Sequence, residues 1–227
     1  MYKRQAVKKV AETTDMPLVL WSFDPSTMER GLEVVKDRNP LLYAATKDNW
    51  QDMGELALKY KCPLTIYAPN DIKLLKSITS ALKTWGIEDL TLDVGCDFGE
   101  GIRDTLNNLT MLRISGIEDA DEVLGLPLVG APAMLWDKER EEKDPEIIRW
   151  KEACLAAMMI VKYADLLMLS SATMWSTLPL IILRNNIYND PRKPVSVEPG
   201  LRVFGNPDPE TSPVFVTSNF ALTYYTV

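Results

Sequence analysis

Histidine is missing from all 227 residues. That removes Ser-His-Asp and Cys-His catalysis, imidazole metal ligation and a neutral-pH imidazole base from this stretch of chain. Cysteine is scarce: Cys62, Cys96 and Cys154 stand far apart with no C-x-x-C among them, so neither a disulfide framework nor a zinc or iron–sulfur site is encoded here. Excess positive charge is lacking too. With 25 Lys and Arg against 32 Asp and Glu, a formal net charge of −7, a nucleic-acid-binding surface is not expected. No segment offers the roughly 18 uninterrupted apolar residues of a membrane span; the most apolar region, Cys154 to Leu183, is broken by Lys162 and Asp165. No signal peptide is visible, and these features together fit a reduced cytoplasm with neither membrane nor nucleic acid as partner.

What is present suits a large α/β core, since 46% of the residues are hydrophobic. Met16-Pro17-Leu18-Val19-Leu20-Trp21 is a fully apolar run of strand length, as expected of a strand buried on both faces. Asp24-Pro25 follows, an N-cap with proline at the first helical position, opening a helix that carries Met28, Leu32 and Val35 on one side. The pattern then recurs, with Pro-Leu pairs at Pro17, Pro40 and Pro63, about 23 residues apart. Proline is tolerated at the first residue of a strand, where no ladder hydrogen bond is lost. Further strands are expected at Leu90–Val94, Leu126–Gly130 and Asp165–Ser171. Asp144-Pro145 caps a long helix on which Ile147, Trp150, Cys154, Ala157 and Val161 face one way, and a last helix runs from Met174 to about Asn189.

Six βα units in about 190 residues make most of an eight-stranded barrel, which typically takes about 250. An open doubly wound sheet normally places a glycine-rich phosphate loop after its first strand, and none occurs here. The expected fold is therefore α/β, a TIM (β/α)8 barrel lacking one or two units upstream, over residues 6–190. Residues 1–5, Met-Tyr-Lys-Arg-Gln, read either as a scar of sequencing-library preparation or as a short basic N-terminus. Residues 191–212 are a proline-punctuated linker. From residue 213 the alternation Val214, Val216, Ser218, Phe220, Leu222, Tyr224 reads as a strand with no partner of its own, the start of a second, truncated α/β domain.

Function in such barrels gathers in the loops after the strands. Asp24, Asp48 and Asp71 there are sufficiently explained as helix caps. Asp93, near the end of a strand, is suited to binding a ligand amide or moving a proton, and equally to accepting from loop amides. The loop Gly95 to Gly101 precedes a helix, but Asp97 and Glu100 would repel a phosphate, so it reads as a plain flexible loop. The mixed-charge segment Asp137–Lys143 reads as a solvated loop.

At LPLIILRNNIYNDPRKPVSVEPGLRVFGNPDPETSPVFVTSNFALTYYTV, and upstream at LLYAATKDNW, GIEDLTLDVG and NNLTMLR, the chain closely resembles the large (gamma) subunit of the corrinoid iron–sulfur protein. That family belongs to the acetyl-CoA decarbonylase/synthase complex. The resemblance implies a [4Fe-4S] domain ahead of the barrel and a cobamide-binding domain beginning at residues 213–227, with Thr217, Asn219 and Thr223 as polar cobamide contacts. Residues two or four apart share one face of a strand, as a common ligand would require. It also implies a small subunit as heterodimer partner, acetyl-CoA synthase and a methyl-pterin methyltransferase as further partners, and a methyl group carried from a methyl-tetrahydropterin to acetyl-CoA synthase. On this reading the barrel is a scaffold and this stretch is not catalytic alone, with no catalytic or metal-binding residue of its own; alternatively the barrel itself binds the pterin through Asp93 and Asn49.

Overall fold

The computed structural model describes residues 2–99, 101–139, 142, 144–170 and 172–187. The chain divides into two units, Met1–Leu183 and Arg184–Val227. Of the second, only Arg184–Ile187, the end of a helix, lies among the described residues, so the architecture below is that of the first.

Strands and helices alternate along it: α1 (Tyr2–Thr13), β1 (Val19–Trp21), α2 (Pro25–Val35), β2 (Leu41–Ala45), α3 (Trp50–Tyr60), β3 (Leu64–Tyr67), α4 (Ile72–Thr84), β4 (Leu90–Asp93), α5 (Ile102–Glu118), β5 (Val129–Gly130), α6 (Leu135–Lys138), α7 (Pro145–Val161), β6 (Leu166–Leu167) and α8 (Met174–Ile187). β1 to β4 pair side by side, all parallel, with Val19 opposite Leu41, Leu42 opposite Leu64 and Leu64 opposite Leu90. A single parallel bridge, Leu92 to Leu128, carries the order on to β5, which pairs in parallel with β6. Six consecutive βα units thus form one arc of parallel strands with strand order following chain order, the expected barrel topology.

Two apolar layers follow from the pleat, because alternate residues of a strand point to opposite faces. Leu20, Leu42, Leu64, Ile66, Leu90 and Leu92 point outward and meet Leu32, Met53, Leu75, Leu82, Leu109 and Leu155 of the helices, a main core that is buried throughout. A separate inner cluster of Tyr43, Ala44, Val129, Ala131 and Met134, with Tyr67 and Met168 against it, fills the space the strands enclose. Three helices, α2, α4 and α7, start where side-chain caps satisfy their free amides. Asp24 accepts from Ser26 N and Thr27 N at 3.3 and 3.1 Å, Asp71 from Leu74 N at 2.9 Å, and Asp144 from Glu146 N at 2.9 Å.

Several expectations shift in detail. The strands are shorter than the apolar runs that announce them, because the inter-strand ladder ends where the chain turns toward its helix; Asp165–Ser171 yields only two strand residues, Leu166 and Leu167. Asp48 does not cap α3: Asn49 holds the cap position, and its side chain is spent elsewhere. The segment expected to be a solvated loop from Asp137 begins instead inside α6, and Lys138 turns back onto the loop after β4. On α7 the five residues Ile147, Trp150, Cys154, Ala157 and Val161 do share a face. It is the outward one; the sheet side is built from Ile148, Leu155, Ala156, Met159 and Ile160.

Candidate functional site: the carboxyl ends of the strands

β4 ends in Asp93, whose side chain points into the barrel on the same face as Thr91 two residues earlier. Register then decides its neighbours. Tyr43, Thr65 and Thr91 lie in one row across β2, β3 and β4, and Tyr67 and Asp93 lie in the next. Within the lower row Thr91 Oγ1 donates to Thr65 Oγ1 at 2.9 Å. From that row the long Tyr43 side chain reaches up, and its hydroxyl donates to Asp93 Oδ2 at 2.8 Å. Gly95 N donates to Asp93 Oδ1 at 2.7 Å, so both carboxyl oxygens are engaged within the chain. Gly95 sits at φ +89°, and a Cβ there would stand 2.8 Å from Pro69 Cβ, so the amide can turn back on Asp93 only because the residue is glycine.

Burial governs the electrostatics. Asp93 is fully buried, and desolvation pushes its carboxyl up to about 7, against the opposing pull of the Tyr43 hydroxyl, the Gly95 amide and Lys138. Burial, and then the neighbouring Asp93, pushes the Tyr43 phenol far above its ordinary range, and the same two causes bring Tyr67 up to about 12. Cys96 is buried nearby, and its thiol is held well above the ordinary range, which makes it a poor nucleophile. Trp21, Phe23, Tyr43 and Tyr67 form a run of ring contacts with centroids 4.9 to 6.2 Å apart.

Asn49 and Glu152 at this end are likewise used internally. Asn49 accepts from Thr46 N at 2.6 Å and donates to Phe23 O at 2.8 Å and Ala44 O at 3.3 Å, tying the loop after β1 to β2 and the loop that follows it. Glu152, buried on α7, accepts from Trp136 Nε1, Ser170 N and Ser170 Oγ at 3.1, 2.6 and 2.7 Å, which binds α6 and the segment after β6 to α7. The loop after β4 is pinned rather than free: Asp97 is paired with Lys138, which also donates to Cys96 O at 3.2 Å. An ionised Asp93 could accept a proton, but with no exposed surface and two partners already in place its present role is to brace β2 against β4.

Thus Asp93 and Asn49 lie at the strand ends as expected, about the same mouth but without direct contact to each other. Sequence reasoning missed Tyr43, Lys138 and Glu152. Tyr43 was hidden inside an apolar strand run, and only its place opposite Thr65 in the register brings it to Asp93. Thr217, Asn219 and Thr223 lie outside the described residues. Among the described residues no group of three or more Cys, Asp or Glu is placed to hold a metal. Cys62, Cys96 and Cys154 are free and sit on separate elements, so the residues described do not fit a [4Fe-4S] cluster, and the residues assigned to a cobamide lie elsewhere. No step is derived through either group.

The family model described as CO dehydrogenase/acetyl-CoA synthase delta subunit matches residues 2–227. The chain belongs to that family. Its relatives include the acetyl-CoA decarbonylase/synthase complex subunit gamma 1 of Methanosarcina thermophila, 44% identical over 98% of this chain and 47% of the relative. The gamma subunits of Archaeoglobus fulgidus, 43% identical over 99% and 47%, and of Methanothermobacter thermautotrophicus, 41% identical over 94% and 46%, match equally broadly. The resemblance to the large subunit of the corrinoid iron–sulfur protein is borne out. The chain spans about half the length of these relatives.

Among solved structures, dihydropteroate synthase of Xanthomonas albilineans in complex with 7,8-dihydropteroate superposes with a TM-score of 0.61 at 14% identity, over 83% of this chain and 73% of that one. The Thermus thermophilus enzyme in complex with 4-aminobenzoate gives 0.57 at 15%, over 82% and 80%. These likenesses establish the TIM-barrel fold. Among the described residues no helix is long and apolar enough to cross a membrane.

Proposed function

We propose that this chain is the barrel portion of a corrinoid methyl carrier, which takes a methyl group from a methyl-tetrahydropterin and delivers it to acetyl-CoA synthase in the reductive acetyl-CoA pathway, in the cytoplasm. The barrel serves as scaffold. Membership in a family of acetyl-CoA decarbonylase/synthase subunits supports the assignment to the complex. One observation carries the scaffold role: both oxygens of Asp93, the best-placed carboxyl at the barrel mouth, are satisfied by Tyr43 and Gly95 with no exposed surface. A ligand-binding carboxylate would keep an oxygen free and facing the mouth.

The domain layout is part of the proposal. Residues 6–190 are the barrel, 191–212 a linker and 213–227 the first strand of the cobamide domain, where Thr217, Asn219 and Thr223 contact the cobamide. When bound, the cobamide supplies the cobalt that carries the methyl group, and a [4Fe-4S] cluster belongs to a domain ahead of the barrel. The small subunit of the heterodimer, acetyl-CoA synthase and the methyl-pterin methyltransferase are the partners. A family described by a delta subunit also takes in a chain whose relatives are gamma subunits, which supports a partner built on a like barrel.

A second reading, in which the barrel itself binds the methyl-pterin, is favoured by the elevated proton affinity of Asp93, since a carboxyl poised near neutrality at a barrel mouth suits proton exchange with a ring nitrogen. Calorimetric titration of the full-length subunit with methyl-tetrahydrofolate separates the two. The scaffold role predicts no saturable heat up to millimolar ligand. Saturable micromolar binding abolished by Asp93→Asn would establish the second reading.

A further inference from the structure

With no histidine in the chain, a response to protons near neutral pH has to come from some other side chain. Asp93 is placed to give one. It has no exposed surface, so its hydrogen bonding is set by the groups packed around it. Those groups are not alike. Gly95 N, 2.7 Å from Oδ1, donates and cannot accept, whereas the Tyr43 hydroxyl, 2.8 Å from Oδ2, can do both.

When the carboxyl is ionised, both groups donate to it and each oxygen is satisfied. A proton on Asp93 has one favourable position. On Oδ1 it would face the Gly95 N–H, hydrogen against hydrogen; on Oδ2 it points to the Tyr43 oxygen, which has lone pairs to receive it. The Tyr43 hydroxyl then has to send its own hydrogen elsewhere. A second acceptor is at hand: Met134 Sδ lies 3.9 Å from the same hydroxyl, within reach of a hydrogen bond to sulfur. Met134 is buried against Tyr43 in the inner cluster and closes the short helical turn Pro132–Met134 that leads into α6.

The other ionisable groups around Asp93 are Tyr67 on β3, Cys96 and Asp97 on the loop after β4, Lys138 on α6 and Glu152 on α7. Burial keeps Tyr67 and Cys96 protonated through neutral pH. Asp97 is paired with Lys138, and Glu152 is held by Trp136 and Ser170.

We propose that Asp93, Tyr43 and Met134 form a proton-operated switch inside the barrel: ionised Asp93 takes the Tyr43 hydrogen, whereas protonated Asp93 gives its own to Tyr43 and turns the Tyr43 hydrogen onto Met134. One proton is taken up from water at Oδ2, and the Tyr43 O–H bond rotates without breaking. In the ionised state the polar link joins β2 to β4 and stops there; in the protonated state it runs on to the turn that leads into α6. That helix carries Lys138, which pins the loop after β4, so the switch reaches the barrel mouth. The switch goes beyond the scaffold role and does not depend on it.

The test is carbon-13 NMR of the full-length subunit with tyrosine labelled at the hydroxyl-bearing ring carbon, whose shift responds to whether the hydroxyl donates or accepts. The Tyr43 resonance is the one lost in Tyr43→Phe. It is expected to titrate once, with a midpoint near 7, and not to titrate in Asp93→Asn. Met134→Leu conserves volume but removes the sulfur acceptor, which weakens only the protonated state, so the midpoint is expected to fall by at least about 0.5 pH unit. Should that variant fail to fold, replacing methionine by norleucine, which puts a methylene where the sulfur was, is expected to give the same fall. A wild-type Tyr43 resonance that does not move through neutral pH, a titration that survives in Asp93→Asn, or a midpoint that stays level or rises once the sulfur is removed overturns the switch.

Discussion

The mouth of the barrel and the outward face of α7 and α8 are opposites. At the mouth, Asp93, Asn49 and Glu152 are polar groups turned inward and fully engaged; on the outer face, apolar groups are turned outward and exposed among the described residues. In most barrel enzymes the assignment runs the other way, with unspent polar groups at the mouth and solvated charge on the outside. A carboxyl clamped by a phenol and an amide holds strands together, whereas the tryptophan-bearing outward side of α7 and α8 exposes apolar side chains among the described residues.

The contrast can be broken by substitution, and the largest effect is expected at the mouth. Tyr43→Ala removes a ring with no exposed surface that also holds Asp93, and is expected to cost about 3 to 5 kcal/mol in denaturant unfolding. Next comes pH. The Asp93 carboxyl is raised from 3.8 to about 7 in the folded chain, so the folded state retains a proton that the unfolded chain has released. Its contribution to stability is full below the unfolded value and is lost as pH rises through about 7. Between pH 4 and 7 wild-type stability should therefore fall relative to Asp93→Asn by about 1.4 kcal/mol per pH unit, a slope read from paired melts at several pH values. Equal slopes in the two proteins would show that Asp93 is ionised throughout.

A smaller change sharpens the same point. Tyr43→Phe keeps the ring but leaves Asp93 Oδ2 without its donor, an expected loss of about 1 to 2 kcal/mol with a further rise in the Asp93 midpoint. The smallest effect belongs to the other region. Trp150→Ala should change the stability of the isolated subunit by less than about 0.5 kcal/mol, because its side chain packs on little.

Much of this was legible in the sequence, for identifiable reasons. Apolar runs such as Leu41–Tyr43 and Leu64–Ile66 marked strands buried on both faces, and Asp24-Pro25 and Asp144-Pro145 marked helix starts, so the six βα units and their order could be read without coordinates. What could not be read depends on contacts distant in sequence. Tyr43 and Asp93 are 50 residues apart and meet only through the register of three strands. Lys138 reaches Asp97 only because α6 folds back over the loop after β4. The α7 seam was visible as a pattern, but periodicity shows that residues share a face and not whether that face meets the sheet or the solvent. Buried Glu152 ran against the pattern altogether, and its three hydrogen bonds explain how it is tolerated.

The most direct measurement sets the two readings of the mouth against each other: calorimetric titration of the full-length subunit with methyl-tetrahydrofolate, wild type and Asp93→Asn compared in one experiment. No saturable heat up to millimolar ligand is expected for either protein, because both oxygens of Asp93 are already engaged by Tyr43 and Gly95. Saturable micromolar binding by the wild type that is lost in Asp93→Asn would contradict the scaffold role.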